Sequence, residues 1–262
     1  MRDSRELQPV NETEAWLQEF DRQQIDAADE RSMWALKYRG RLCSTLRMLQ
    51  GLPRGARVLE VGASQANASL LAAEAGLEAV ALDRDTLPLR YAFRKYTHGD
   101  FSAVCADALA LPFAGATFAA VVAAEILEHL PEPAAALMEM RRVLAPGGLL
   151  IITTPNVNYL HERLPSYANR PAEAQSLPAA DAHGHLFAFT KAQLRALLGE
   201  CGLQVMQIRY EGSVMMSDKV LVKRLLPVGL IHALSRLSTR LPGGACLAYT
   251  CFAVGRRPVD SG

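Results

Sequence analysis

The sequence contains few cysteines, and they show no regular spacing. Five occur in 262 residues, an odd number, and none belongs to a Cys-x-x-Cys pair. This pattern argues against both a disulfide framework and a structural zinc site. We expect most of them to be small apolar core residues. The five are Cys43, Cys105, Cys201, Cys246 and Cys251.

An excess of charge of one sign and long apolar runs are also missing. The 28 basic and 27 acidic residues give a formal charge of +1, so no broad field favours nucleic acid or an anionic membrane. No apolar stretch reaches the ~18 residues of a membrane-spanning helix. Met1 to Asn11 lacks the basic-then-apolar order of a secretory signal. We therefore expect a cytoplasmic protein with no nucleic-acid partner and no stable membrane insertion.

The apolar pattern divides the chain into two regions. Residues 12 to 50 carry apolar side chains at helical spacing, and Gly51, Pro53 and Gly55 then break the pattern. Beyond Arg57, short aliphatic runs alternate with longer amphipathic stretches, which is typical of parallel βαβ units. We therefore predict an N-terminal helical cap over residues 1–55 and one main domain over residues 56–262.

The main domain is predicted to contain seven strands in a mostly parallel, doubly wound α/β sheet. The strand candidates are Arg57 to Val61, Ala79 to Leu82, Phe101 to Cys105, Phe118 to Ala123, Leu149 to Thr153, Val205 to Tyr210 and Ala245 to Val254. The predicted helices are Asn67 to Ala75, Thr86 to Lys95, Pro133 to Leu144 and one that begins after Thr190 and ends at Gly202. Pro155 to Asp181 is predicted to be a loop over a substrate pocket. The apolar and basic stretch Lys219 to Leu241 is predicted to be helical and to pack at the domain edge, and the alternative is an apolar lid suited to a lipid-like or aromatic substrate.

Two features indicate a nucleotide-like ligand. The first predicted strand runs through Glu60 and Val61 into a small-residue turn that starts at Gly62, where backbone N–H groups and a helix N-terminus can approach a ligand. The second strand ends at Asp83, close to the ~20-residue offset at which an acidic residue meets a ribose hydroxyl. Each feature also has a purely structural interpretation, a small turn and a strand-end Asp.

From Arg57 to Tyr210 the chain resembles the class I S-adenosylmethionine-dependent methyltransferases, which have a seven-stranded Rossmann-like sheet. The strand-one motif of that family is acidic-x-Gly-x-Gly-x-Gly, and here only Gly62 is kept, with Ser64 and Ala66 in the other glycine positions. Three later segments resemble the adenine-binding motif, the fourth strand and the helix exit into the fifth strand. They are Ala106 to Phe113, Val122 to Leu130 and Arg142 to Gly148.

The resemblance implies that S-adenosylmethionine is the cofactor and that its binding residues lie at the strand ends. Asp83 would accept from the ribose, Asp107 from the adenine amino group, and Glu60 would hold the loop near the amino-acid end. The implied cofactor-binding residues are Glu60, Gly62, Ala63, Ser64, Asp83, Arg84, Asp107, Ala108 and Glu125.

Two histidines are candidates for catalysis. His129 follows the fourth strand, and His185 lies in His183-Gly184-His185-Leu186-Phe187-Ala188-Phe189-Thr190, similar to a stretch in family members that act on small acceptors. An imidazole could orient an acceptor or take its proton, or it could simply pack locally. We expect methyl transfer to an oxygen or nitrogen of a small-molecule acceptor, and leave open whether the chain forms a homodimer.

Glu125, Glu128, His129 and His185 also resemble the magnesium site of some class I methyltransferases. Two carboxylates suit a hard cation, but Glu and His occur at these places in metal-free members too, so we expect no bound metal.

The residues leave two other functions open. One is an NAD-linked oxidoreductase, although the third glycine position of its fingerprint is Asn67 here. The other is a non-catalytic cofactor-binding protein on the same fold.

Overall fold

The computed structural model describes residues 1–26, 32–169, 179, 184–213 and 225–259. The helices are α1 Glu12–Asp21, α2 Met33–Leu49, α3 Asn67–Glu74, α4 Thr86–Lys95, α5 Pro133–Val143, α6 Lys191–Glu200, α7 Val228–Ser238 and α8 Gly244–Leu247. The strands are β1 Arg57–Val61, β2 Glu78–Asp83, β3 Asp100–Cys105, β4 Phe118–Ala124, β5 Leu144–Pro155, β6 Gln204–Ser213 and β7 Ala248–Arg256. Short 3₁₀ turns include Leu127–His129 and Tyr167–Asn169.

The seven strands form one sheet in the order β3-β2-β1-β4-β5-β7-β6. Neighbouring strands are parallel from β3 to β5, and β7 runs antiparallel to both β5 and β6. This arrangement confirms the predicted seven-stranded, mostly parallel Rossmann-like sheet. The strand order reverses between β1 and β4, the place where open α/β sheets bind ligands beyond the carboxyl ends of their strands.

Alternate residues of the central strands enter different apolar clusters because side chains in a strand alternate between its faces. Leu59, Val121 and Ile152 belong to one buried cluster, and Val58, Val122 and Ile151 belong to another. Side chains of α5 and α6 complete the first cluster, and Leu49 of α2 with part of α3 completes the second. The sheet is therefore covered on both faces.

A buried polar network joins the N-terminal helices to the turn after β1. Lys95 Nζ, at the end of α4, lies 2.7 Å from Asp21 Oδ2 and 2.5 Å from Asn67 Oδ1. Asn67 Nδ2 donates to Asp21 Oδ1 at 2.8 Å and to the Tyr38 hydroxyl at 2.9 Å. Both charged side chains of the ion pair are 1% exposed. The first residue of α3 is thereby tied to α1, α2 and α4.

Several predicted boundaries change in the structure. The last strand begins at Ala248 rather than Ala245, because residues 244–247 form the short helix α8 after Gly243, whose φ is +77°. Pro155 belongs to β5, so the following loop starts later, and residues 170–178 and 180–183 lie outside the described residues. The helix predicted in Lys219 to Leu241 is α7, and residues 219–224 lie outside the described part.

Within the described ranges, none of the helices combines the length and the apolar character needed to cross a bilayer.

Candidate functional site

The turn after β1 is left-handed at three residues. Gly62 has φ +70°, Ser64 +46° and Ala66 +55°. The backbone N–H of Ser64 donates to Asp83 Oδ2 at 2.7 Å, which ties the turn to the end of β2. A Cβ at Gly62 would overlap the side chain of Ile126, so this position requires glycine for both space and φ. Ser64 and Ala66 adopt the conformation that glycine adopts freely.

We expect Ser64→Gly and Ala66→Gly to stabilise the protein by about 1 kcal/mol each, because a left-handed non-glycine residue costs roughly that much. Ser64 should show the clearer gain, because it is partly exposed, whereas Ala66→Gly also removes a fully buried methyl group. Thermal unfolding and calorimetric titration with S-adenosylmethionine would measure the effect. The control is Ala63→Gly, because Ala63 does not have a positive φ and should gain no stability. A loss of cofactor binding in Ser64→Gly would instead assign a direct ligand contact to the Ser64 hydroxyl.

A cavity of about 380 Å³ opens at the ends of β1, β2 and β4, and we call it the strand-end cavity. It brings together most of the residues predicted to bind the cofactor: Gly62, Ser64, Asp83, Arg84, Asp107, Ala108 and Glu125. The remaining two, Glu60 and Ala63, line an adjacent cavity of about 240 Å³ that shares Gly62, Ser64 and Glu125 with the strand-end cavity. Glu60 and Glu125 are 65 positions apart in sequence, and the sheet places both of them around the turn after β1.

The strand-end cavity has the donor and acceptor chemistry of an adenosine site. Asp83 Oδ1 accepts from the backbone of Asp85 at 3.0 Å, and Asp107 Oδ1 accepts from Leu109 at 2.9 Å, so local hydrogen bonds orient both carboxylates. Carboxylates in these positions suit vicinal hydroxyls and an exocyclic amine. Together with the left-handed turn, they fit the predicted S-adenosylmethionine.

Glu60 holds the start of α3. Its Oε2 accepts from the backbone N–H of Ser69 at 2.9 Å and from the Ser69 hydroxyl at 2.6 Å. Burial raises the pKa of Glu60 to about 7, although the bonds from Ser69 act in the opposite direction. Through these contacts Glu60 holds the start of the helix that follows the turn, as the sequence predicted for an acidic residue at this strand end.

The raised pKa of Glu60 makes stability depend on pH. The folded-state pKa of about 7 lies above the ordinary value of 4.5, so the folded chain holds a proton that the unfolded chain has lost between these values. Glu60 therefore destabilises the fold increasingly as pH rises from about 4.5 to 7. Glu60→Gln keeps an acceptor for Ser69. We expect its free energy of unfolding, relative to that of the parent, to rise by roughly 2–4 kcal/mol between pH 5 and pH 8. Urea unfolding across this range measures it, and a constant difference between the two proteins would contradict it.

Glu125 directly follows β4, has φ +55° and forms an ion pair with Arg41 of α2. Burial opposes ionisation of Glu125, but the charges of Arg41 and Lys37 outweigh it and hold its pKa below the ordinary range. Glu128, three residues later, is fully buried. Burial first, and then the charge of Glu125, raise the pKa of Glu128 well above its ordinary value. The two carboxyl groups therefore favour opposite protonation states.

The two predicted catalytic histidines meet. The rings of His129 and His185 lie 4.6 Å apart between centroids. His129 Nδ1 is 3.1 Å from the carbonyl oxygen of Gly184. Because a carbonyl can only accept, Nδ1 carries the proton in this contact, and Nε2 is the proton-accepting nitrogen of the neutral ring. The backbone N–H of Leu186 donates to the Glu128 carbonyl at 2.7 Å, which holds the two segments together. His183 lies outside the described residues.

Three of the four residues considered for a metal are close enough to share an ion. Ligand atoms of Glu128, His129 and His185 lie within 4.8 Å of one another. Glu125 is not part of this cluster, since its carboxylate is turned to Arg41. A helix that continued from Glu125 would have placed Glu125 on one side with Glu128 and His129. The left-handed φ at Glu125 and the 3₁₀ turn that follows do not continue a helix from it.

A second cavity of about 730 Å³ adjoins the first, and we call it the aromatic cavity. The two cavities share Ser64, Glu125 and His129. The walls of the aromatic cavity contain Trp16, Phe20, Trp34 and Tyr38 from the N-terminal helices, with Lys37, Arg41, Glu162 and His185. Trp16 and Trp34 are 64% and 55% exposed at its rim.

The residues of the N-terminal helices were not among the predicted site residues, because their helical spacing indicated only packing. One signal was available: both tryptophans of the whole chain lie in this segment. The structure places these helices across the strand ends, where Arg41 pairs with Glu125 and Tyr38 accepts from Asn67. The cap is therefore part of the site wall.

Comparison with known proteins gives a family match over most of the chain. The profile of the methyltransferase domain family matches residues 34–208. A demethylmenaquinone methyltransferase of Renibacterium salmoninarum is 38% identical over 137 residues, covering 48% of this chain and 57% of that protein. A ubiquinone biosynthesis O-methyltransferase of Burkholderia pseudomallei is 29% identical over 159 residues, covering 59% of this chain and 67% of that protein. The chain spans about half the length of several of its curated relatives.

Solved structures share the fold at low sequence identity. An S-adenosylmethionine-dependent methyltransferase from Mesorhizobium loti matches with a TM-score of 0.59 and 18% identity, covering 88% of this chain and 99% of that one. The [4+2]-cyclase SpnF matches with a TM-score of 0.57 and 21% identity, covering 84% of this chain and 81% of that one. Since these neighbours include proteins described by different reactions, the shared fold alone does not fix the chemistry.

Proposed function

The chain belongs to the class I S-adenosylmethionine-dependent methyltransferase family, and on that premise we propose that it transfers the cofactor's methyl group to an oxygen or nitrogen atom of a small-molecule acceptor. One observation carries the proposal: the strand-end cavity and the aromatic cavity share Ser64, Glu125 and His129. A methyl donor in the first and an acceptor in the second would meet at this shared wall.

In the strand-end cavity, we assign Asp83 to the ribose hydroxyls and Asp107 to the adenine amino group. The backbone of the left-handed turn would lie against the cofactor, and Glu60 keeps the start of α3 in place beside that turn. When bound, the cofactor supplies an electrophilic methyl group on a sulfonium. The protein's main contribution is then to position the acceptor, since good alignment alone can supply up to ~7–11 kcal/mol of the barrier.

For an oxygen acceptor, the residue that takes the proton is proposed to be one of the paired histidines. The Gly184 carbonyl fixes His129 with Nδ1 protonated, so Nε2 can accept a proton from a hydroxyl in the aromatic cavity. His185 stands beside it and lines the same cavity. The ionised Glu125, held by Arg41, would stabilise the resulting imidazolium.

The acceptor is proposed to be a hydroxylated aromatic ring. Four aromatic side chains wall the cavity, and flat π-faces pack well against such a ring. The names of the relatives, a demethylmenaquinone methyltransferase and a ubiquinone biosynthesis O-methyltransferase, are consistent with an acceptor of the quinol type.

The test is an acceptor screen with isotopically labelled S-adenosylmethionine. Catechols, hydroquinones with and without an apolar tail, and aromatic amines would be incubated with the protein, and products identified by mass spectrometry. We expect a labelled O-methyl product from a hydroxylated ring. Tight binding of the cofactor with no product from the panel or from cell extracts would instead favour a non-catalytic binding protein. Binding of NAD in preference to S-adenosylmethionine would contradict the cofactor assignment.

We expect Asp83→Ala to weaken S-adenosylmethionine binding at least tenfold, because a charge-assisted hydrogen bond contributes roughly 1.5–3 kcal/mol. Isothermal titration calorimetry would measure the affinity. The matched control is Asp85→Ala, two residues away, whose side chain caps α4 and lines neither cavity. Asp85→Ala should lose some stability but keep the parent's affinity. Equal affinities for Asp83→Ala and the parent would overturn the placement of the cofactor.

A further inference from the structure

The near-neutral chain has a strongly uneven charge distribution. Residues 219–259 contain seven Lys and Arg residues and not one Asp or Glu, although the formal charge of the whole chain is only +1. Of the seven, Lys219, Lys223 and Arg224 lie outside the described residues. The part of this stretch that the structure describes contains α7, α8 and β7. Arg256 and Arg257 lie at the end of β7 away from α7, so the described basic residues of this stretch near α7 are Arg236 and Arg240.

Helix α7 buries one side and exposes leucines on the other. Ile231 is 1% exposed and packs with Leu36 of α2 and Tyr249 of β7. Leu230 and Leu237, which lie two turns apart on one face, are 44% and 57% exposed. Leu225 before the helix and Leu241 after it are 84% and 56% exposed. We call these four side chains the leucine ridge.

Basic side chains lie directly beside the leucine ridge. Arg236 of α7 and Arg240, just after the helix, are exposed, and both line a cleft of about 1000 Å³ between α7, α8 and β6 together with Leu241 of the ridge. Arg47, Lys191 and Arg209 line the same cleft. Its acidic lining residue is Glu211, which forms an ion pair with Arg209. Exposed apolar side chains flanked by arginines are the pattern of a helix that lies in a membrane interface.

We propose that the leucine ridge and the arginines beside it dock on the surface of an anionic bilayer. The leucines would enter the boundary between headgroups and acyl chains, and Arg236 and Arg240 would pair with lipid phosphates. Charge complementarity selects this partner, since the cleft beside the ridge is lined by five basic side chains and one acidic one. At 11 residues, α7 is too short to span a bilayer, so the contact is peripheral.

The docking face is connected to the aromatic cavity through α2. Ile231 packs on Leu36, and the His232 ring lies against Gly40, where an added Cβ would be 3.3 Å from it. Trp34 and Lys37, on the same helix α2, line the aromatic cavity. If the proposed function holds, a docked protein would take an apolar acceptor from the bilayer next to its cavity. Docking itself does not depend on that function.

Vesicle flotation with the full chain tests the proposal. Phosphatidylcholine vesicles are compared with vesicles in which a third of the lipid is phosphatidylglycerol, at low and at high salt. We expect binding to the anionic vesicles, weak binding to neutral ones, and a marked loss at high salt because surface charge interactions are screened. Failure to float with anionic vesicles, or equal binding to both compositions, would overturn the proposal.

Paired variants identify the surface. Arg236→Glu/Arg240→Glu and Leu230→Glu/Leu237→Glu should each reduce binding at least about tenfold, since each basic residue near an anionic surface and each buried leucine contributes to it. Both pairs are exposed, so the fold should be retained, as circular dichroism would verify. The controls are Arg90→Glu/Arg195→Glu, exposed on α4 and α6, and Met138→Glu on α5, 56% exposed.

Both controls should bind vesicles as the parent does, apart from a small effect of net charge. Equal losses in controls and test variants would contradict the assigned face.

Sedimentation velocity tests whether the ridge instead binds a second copy of the chain. A dimer that Leu230→Glu/Leu237→Glu dissociates, without vesicle binding by the parent, would assign the ridge to a second copy of the chain instead. Methylation of a water-soluble acceptor should be unchanged in these variants, which separates loss of docking from loss of the proposed function.

Discussion

Asp21→Ala is expected to destabilise the folded chain by about 3–5 kcal/mol, the usual cost of removing one partner from a buried ion pair. The substitution would leave the Lys95 ammonium, 1% exposed, without its carboxylate, and would remove one of the two acceptors of Asn67 Nδ2. Asn67 begins α3 directly after the left-handed turn, so the loss should also loosen the turn that we propose binds the cofactor. Urea unfolding and calorimetric titration with S-adenosylmethionine would measure the two effects.

Two further variants separate the ion pair from simple loss of packing. Glu19→Ala removes an ion pair with Arg22 whose side chains are 49% and 50% exposed, and it should change stability little because water screens the pair. Asp21→Leu/Lys95→Met replaces both buried charges with apolar groups and should recover much of the loss. If Asp21→Ala unfolds at the same urea concentration as Glu19→Ala, the network does not stabilise the fold as described.

The second large effect is expected at the histidine pair. His129→Asn or His185→Asn should lower kcat for a hydroxylated acceptor about 10²–10⁴-fold, the usual contribution of a positioned general base. S-adenosylmethionine affinity should stay close to that of the parent. The loss should shrink for acceptors whose hydroxyl is more acidic, because an already ionised oxygen needs no base. The control is His98→Asn, an exposed histidine after α4, which should keep full activity.

A catalytic metal bound by the same residues would make activity sensitive to chelators, whereas a histidine base would not. Glu128, His129 and His185 could hold a divalent ion, in which case chelation would abolish activity and Glu128→Ala would release the ion. We expect elemental analysis to find no stoichiometric divalent ion and expect activity to survive chelation. Near one ion per chain, lost in Glu128→Ala, would replace the histidine base with metal-assisted deprotonation. Full activity of both histidine variants would instead favour a nitrogen acceptor, whose methylation needs neither a histidine base nor a metal.

The sequence predicted the sheet because its evidence is local. Each central strand is a short aliphatic run, each crossover helix an amphipathic stretch, and each strand end a turn residue such as Gly62 or Asp83. The seven-stranded, mostly parallel sheet and the family are confirmed. The strand-end cavity collects Gly62, Asp83 and Asp107 because parallel strands end at one edge. Their ligand contacts stay predictions.

Only the tertiary structure decided how the N-terminal helices take part. Asp21 meets Lys95 across 74 positions of sequence, and Arg41 meets Glu125 across 84. No periodicity within either segment encodes such a pairing. The same limit applies to Glu125, which has a left-handed backbone and forms an ion pair with Arg41 of α2. A sequence pattern shows which face of a helix is apolar, whereas the partner of that face depends on the packing of the whole chain. The aromatic wall of the site, and the leucines that α7 leaves exposed, follow from that packing alone.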